Sequence, residues 1–190
     1  MKTLLVVLSL LTTLNFGYAD NSQINHWYQE LKDSEITFHS HGAVCEQIAK
    51  IQMADQYPPD EYEITTGIIY GKAGIIIGEL DLVVFDKTHE ARMVAEVKCK
   101  RRVAAARKEA QLQLERFYNK VVDSDLPIVF YGADGEDYDV RQFDEIEKED
   151  LKTISQLEGE PYFEYTVGLN YDEVILLWKR LKRCQTSKHC

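Results

Sequence analysis

Two strand-forming runs joined by a short polar turn occupy the middle of this chain, and no other stretch restricts its fold so tightly. Residues 75–86 are dense in Ile, Leu, Val and Phe, residues 91–100 alternate more plainly, and Asp-Lys-Thr-His-Glu at 86–90 is polar. Alternation of this kind bounded by turn formers predicts a β-hairpin. A turn centred between Thr88 and His89 opposes Phe85 to Arg92, Val83 to Val94 and Asp81 to Glu96. Opposed residues of an antiparallel pair have Cβ atoms roughly 4.5–5.5 Å apart. Two bare carboxylates at that separation repel unless a proton or a cation lies between them. Lys98, two residues beyond Glu96, points to the same face. Such a trio is commonly a solvated ion pair of little energetic weight, but its neighbours argue for chemistry.

Residues 61–70 read as a first strand, and Gly71-Lys72-Ala73-Gly74 turns it into the hairpin, giving a three-stranded antiparallel meander. Helices are expected at 24–31 and at 41–56, the second stopped by Pro58-Pro59. In that second helix Val44, Ile48 and Ile51 form an apolar stripe, and Glu46 lies on the other side with Ala43, Ala49 and Met53. The strongest helix runs over 103–121, with Val103, Ala106, Ala110, Leu114, Phe117 and Val121 at helical spacing. Gln113 falls within this buried stripe, where its amide needs partners, either backbone groups or a functional site. Residues 127–132 suit a buried fourth strand after a crossover helix, which makes the sheet mixed. Beyond it the sequence predicts an acidic loop at 133–139, a charged helix at 143–157, an edge strand at 162–167 and an amphipathic helix at 171–181.

Residues 1–19 carry Lys2, an apolar stretch over 4–14 and the small-x-small pattern Gly17-Tyr18-Ala19, the marks of a secretory signal peptide cut after Ala19. The expected mature protein, residues 20–190, is a single domain, secreted or periplasmic, with no membrane anchor. The leader is too short to span a bilayer comfortably, no later segment approaches about 20 apolar residues, and no cysteine follows the cut to carry lipid.

A net charge of −10 argues against coating nucleic acid non-specifically, because phosphate affinity comes from local lysine and arginine. One local patch exists: Lys98, Lys100, Arg101, Arg102, Arg107 and Lys108 follow one another directly after the carboxylate pair, and 179–183 is a second. Of the four cysteines, Cys184 and Cys190 are the easiest to bridge; Cys45 and Cys99 are expected on opposite sides and apart. His39, His41 and Cys45 lack the spacing of a tetrahedral zinc site.

Gly-Glu-Leu-Asp at 78–81, an apolar run, and then Glu96-Val97-Lys98 resemble the motif of the metal-dependent PD-(D/E)XK nuclease superfamily, the restriction-endonuclease-like fold that includes Holliday-junction resolvases. Glu46 upstream, Gly78 before the first acid and Gln113-Leu114 after the lysine match further parts of the pattern. Leu80 stands where the superfamily's name has proline, and Phe117 where a Gln-x-x-x-Tyr pattern has tyrosine. The resemblance covers roughly residues 40–132. It implies an α-β-β-β-α-β core, with C-terminal helical additions here.

Asp81, Glu96 and the Val97 carbonyl offer a hard, all-oxygen site of the kind Mg²⁺ prefers, with Mn²⁺ able to substitute and Glu46 available for a second ion. By the resemblance, the metal activates water for attack on a phosphodiester, Lys98 orients that water or neutralises developing charge, and Gln113 positions water or strand. Glu79 shares the strand parity of Asp81 and is a second candidate for its place. Lys100, Arg101, Arg102, Arg107 and Lys108 are the expected nucleic-acid contacts, with DNA the first expectation for substrate and RNA the second. The rivals are a non-catalytic secreted nucleic-acid-binding protein on the same fold, and an interaction or inhibitor protein with no phosphate chemistry.

Overall fold

The structure, a computed structural model, describes residues 21–122, 127–132, 135 and 137–187. The expected leader and Cys190, and with it the expected Cys184–Cys190 bridge, lie outside the described residues. Within them, the predicted meander forms and then bends. Strands β1 (Tyr62–Thr65) and β2 (Ile68–Lys72) are one run broken at Thr66-Gly67, where Gly67 takes a positive φ of 74°. Strands β3 (Ile75–Leu80) and β4 (Leu82–Asp86) are one run broken at Asp81.

On one side of the break, β1 pairs with β4, and β4 with β5 (Ala91–Val97), all antiparallel. On the other side, the β2–β3 hairpin turns away and enters a second sheet of order β3-β2-β6-β7, with β6 at Val129–Tyr131 and β7 at Asp137–Tyr138. The expected fourth strand at 127–132 is therefore corrected: β6 lies antiparallel to β2 and not beside the hairpin's second strand. That place belongs to β8 (Leu151–Ser155), which runs parallel to β5, with β9 (Tyr165–Thr166) parallel beyond it. The first sheet is thus mixed, in the order β1-β4-β5-β8-β9.

The charged helix expected over 143–157 is also corrected. Its charges stop at Lys152, and most of them lie in and between the 3₁₀ turns Val140–Phe143 and Lys148–Asp150. Thr153, Ile154 and Ser155 are buried in the sheet, the first two being β-branched residues that suit a strand.

Register follows the expected pairs for Leu82↔Ala95, Val83↔Val94 and Val84↔Met93, but Phe85 faces Ala91 and not Arg92. The turn closes as a three-residue loop, with Asp86 N–H donating to the Glu90 carbonyl. The Asp86 carboxylate accepts from the N–H of Thr88 and of Glu90, and His89 takes φ 61°. A loop of that length ends in a bulge, which takes up the extra residue.

Helices α1 (Asn21–Lys32), α2 (His41–Met53) and α4 (Tyr171–Ser187) cover one face of the first sheet. There they meet Leu82, Val84, Met93, Ala95, Val97 and Ile154. Ser40 caps α2 by accepting the Ala43 N–H. The buried face of α2 is Val44, Cys45, Gln47, Ile48, Ala49 and Met53, whereas Ile51, expected inside, is 37% exposed. Helix α3 (Val103–Phe117) lies on the opposite face and buries Ala106, Ala110, Leu114 and Phe117, as its stripe predicts. It continues in a π-helical turn, Tyr118–Val122. Its partners include Val83, Phe85, Val94, Tyr70 and Phe130, so the second core is shared by the two sheets.

Cys45 and Cys99, expected apart, are joined in a disulfide with their Cα atoms 6.4 Å apart. Helix α2 packs on the face shared by Val97 and Cys99, opposite Glu96 and Lys98, which brings the two cysteines to the same side. A cross-link of sequence separation 54 restricts the unfolded chain by roughly 4 kcal/mol in the loop-entropy account.

Candidate functional site

Asp81 occupies the break between β3 and β4, where the two sheets part. Out of regular pairing, its carboxylate is turned along the end of β5: Oδ2 accepts the Val97 N–H at 2.8 Å and the Lys98 Nζ at 2.5 Å. The same Nζ donates to Glu96 Oε2 at 2.7 Å. The cation that two neighbouring carboxylates require is thus the lysine's own ammonium. Asp81 is 7% exposed, Glu96 1% and Lys98 9%, so the trio is a buried ion network and not a solvated hairpin end.

Burial is the largest influence on Glu96 and raises its pKa; the Asp81 charge adds to this, and Lys98 opposes both. For Lys98, burial disfavours the ammonium, but Asp81 and Glu96 outweigh it and hold its pKa above the ordinary lysine value. Glu46, on α2, is pushed to about 8 by burial, then by the charges of Asp81 and Glu79, with Lys98 pulling the other way. Glu46 therefore stands within the field of the trio, although α2 covers the other face. Its chain neighbours fix it there: Cys45 is bridged to Cys99, and Gln47 Nε2 donates to Thr66 Oγ1 at 3.0 Å, at the break in the first long strand. Glu79 is raised by burial and by Asp81, and it also joins this field from an exposed position on β3.

Oε1 of Glu96 and Oε1 of Gln113 are buried and have no hydrogen-bond partner among the described residues. An unsatisfied buried acceptor costs about 1–3 kcal/mol, and more when charged. Gln113 is on α3, the helix over the Glu96 face. Among the described residues no group of three or more His, Cys, Asp and Glu is placed to hold a metal ion. Asp81 and Glu96 alone form the carboxylate pair, with Val97 between Glu96 and Lys98. Mg²⁺ is commonly held by one or two carboxylates and several waters. The all-oxygen donor set and the unpartnered Glu96 Oε1 fit such an ion, provided that Nζ of Lys98 gives up its place between the acids.

Gly78 is explained by its neighbour: a Cβ there would lie 2.6 Å from the Tyr70 hydroxyl oxygen. Tyr70, 1% exposed, has its pKa pushed up to about 12 by burial and by the Glu96 charge, with Arg116 opposing.

Three residues with no signal in the motif hold the segment after β5 in place. Ser155 Oγ donates to the Lys98 carbonyl at 2.8 Å, Gln156 Nε2 to the Lys100 carbonyl at 2.9 Å, and His41 Nε2 lies 3.1 Å from the Cys99 carbonyl. Recognising β8 as a strand would have placed the first two beside Lys98.

The basic residues are unevenly available. Lys100 is paired with Glu109, and Arg101 with Asp172 at 2.9 Å while lying over the Tyr171 ring. Arg102, Arg107 and Lys108 are exposed with no ion-pair partner among the described residues. The second patch is partly structural: Arg180 bonds Asn25 and stacks on Tyr28, and Lys182 lies over Trp178. A polar cleft of about 490 Å³ between α3 and β8 is lined by Gln111, Tyr118, Lys148, Thr153 and Glu164 among others. It borders the trio through Thr153, the neighbour of Glu96 across the parallel pairing.

No helix among the described residues is long and apolar enough to cross a membrane. Comparison with known proteins finds no matching family model, no matching curated protein and no matching solved structure.

Proposed function

We propose that the protein is an exported Mg²⁺-dependent nuclease of the PD-(D/E)XK type, acting on DNA in the first instance and on RNA in the second. The observation that carries this reading is the buried Asp81–Lys98–Glu96 network at a strand break, with one Glu96 oxygen left unpartnered. The order α2, β1, β4, β5, α3, β8, with β4 antiparallel and β8 parallel to β5, supports a restriction-endonuclease-like core. The second sheet, β9 and α4 are then additions to it.

Asp81 and Glu96 would hold the ion, with the Val97 carbonyl beside them and Glu46 toward a second position. When bound, Mg²⁺ supplies a water of lowered pKa and a counter-charge for the phosphate. In hydrolysis an oxygen from water bonds to phosphorus, the bond from phosphorus to the leaving sugar oxygen breaks, and that oxygen takes up a proton. Lys98, released from the carboxylates, donates to a phosphate oxygen as negative charge grows on it. Gln113 contributes a free amide oxygen to orient water or strand. Arg102, Arg107 and Lys108 contact the backbone phosphates.

The rival binding-protein reading is favoured by one fact: Lys98 already neutralises both acids without a metal. Incubating purified protein with plasmid DNA and with RNA, with Mg²⁺ or with chelator, separates the two. Salt-sensitive binding without cleavage selects the rival.

A further inference from the structure

The disulfide joins the residue before one candidate ligand to the residue after the lysine. Cys45 precedes Glu46, Cys99 follows Lys98, and the loop closed by the bridge contains Glu46, Glu79, Asp81, Glu96, Val97 and Lys98. The two cysteines meet in the core on the α2 face, whereas the side chain of Lys98, the residue before Cys99, reaches the acids on the opposite side of β5. The bridge thus ties α2 covalently to the end of β5.

We infer that the Cys45–Cys99 bridge positions Glu46 against the Asp81–Glu96–Lys98 network, so that the catalytic site is complete only in the oxidised protein. This rests on the nuclease reading and adds its regulation. Both cysteines are closed to solvent, at 0% and 2% exposure, so in the folded chain an oxidant reaches them only while α2 is lifted from the sheet. Closing it turns two thiols into one S–S bond. The two electrons and two protons pass to a partner disulfide, of the small-molecule or oxidoreductase class, which leaves as two thiols. A reducing compartment withholds that partner. A chain still inside the producing cell is therefore folded without a finished site, and export to an oxidising space completes it.

The other ties to this segment decide what is lost without the bridge. Ser155 and Gln156 hold the carbonyls of Lys98 and Lys100 from β8, and they remain. From the α2 face, His41 also reaches the segment at the Cys99 carbonyl, and α4 holds Arg101 through Asp172. Glu46 consequently shifts more than Lys98, and the cations of α3 do not move. The chemical step suffers, and binding of nucleic acid does not.

The test compares oxidised wild type, wild type refolded in dithiothreitol, and the Cys45→Ala/Cys99→Ala variant, each shown to be folded by near-ultraviolet circular dichroism. Cleavage of DNA with Mg²⁺ should fall about 10–10²-fold in kcat without the bridge, the size expected of a small misplacement of a reacting group. KM for DNA should be unchanged. Glutathione disulfide should restore the reduced wild type and leave the variant inactive. Leu177→Ala, a truncation in the same core that leaves the bridge itself and every site residue unaltered, should keep its kcat below its melting temperature. Equal kcat in the variant and wild type overturns the inference. So does an equal loss in Leu177→Ala, which would mark general loosening, and so does a variant that cannot fold, because the bridge then serves the fold alone. Absence of cleavage in every redox form is a separate result: it removes the nuclease reading, and this inference with it.

Discussion

At the scale of single residues, the site is an electrostatic problem solved by Lys98. Removing its ammonium leaves Asp81 and Glu96 buried side by side, and losing one charge-stabilising donor typically costs roughly 10²–10³ in rate. Lys98→Ala is expected to lose cleavage by that factor. Because Nζ competes for the space between the acids, the same variant should bind Mn²⁺ more tightly than wild type, as titration calorimetry can measure. Glu46 gives a pH prediction. Its folded pKa of about 8 exceeds the ordinary value of 4.5, so the folded protein keeps a proton that the unfolded chain releases. The stability from that proton is complete below 4.5 and is lost as pH rises through 8. In chelator, Glu46→Gln should melt with wild type at low pH and above it at high pH, by an amount on the order of a few kcal/mol.

At the scale of elements, what was legible followed from local pattern. The hairpin register from Leu82 to Val84, the stripe of α3 and the convergence of Asp81, Glu96 and Lys98 all come from period-two or helical spacing, which a single segment carries in itself. What was not legible depended on which segments meet. The charges of 144–150 hid β8, because a strand buried by its neighbours needs no amphipathic pattern. The face chosen by α2 was not encoded in its own stripe, so the Cys45–Cys99 bridge and the way Glu46 enters the site went unseen. The break at Asp81 was hidden inside what reads as one continuous strand-forming run, since it exists only where the two sheets diverge. β8 bears on the site through Ser155, and Gly159 is packed against it: a Cβ on Gly159 would lie 2.6 Å from Ser155 Cβ. Gly159→Ala should therefore destabilise by about 1–3 kcal/mol through overpacking. Because Ser155 holds the Lys98 carbonyl, it should also lower kcat, whereas Ala at the exposed Glu160 next to it should do neither. Denaturant unfolding and initial rates measure both.

At the scale of the whole molecule, a chain of net charge −10 leaves the proposed nucleic-acid binding to a few local contacts. If Arg102, Arg107 and Lys108 make them, the logarithm of affinity for duplex DNA should fall with the logarithm of salt at a slope of about −3, and Arg107→Glu/Lys108→Glu should flatten it by about two units. Filter binding in chelator checks this without cleavage. The central claim, that a buried carboxylate–lysine network and a divalent ion together cut phosphodiesters, is tested most directly by a plasmid time course with oxidised wild type and Asp81→Asn in Mg²⁺. The account predicts that wild type degrades the plasmid, that chelator abolishes this, and that Asp81→Asn stays folded but leaves the plasmid intact. Cleavage by Asp81→Asn at the wild-type rate, or no cleavage of DNA or RNA by wild type in Mg²⁺ or Mn²⁺, would contradict it.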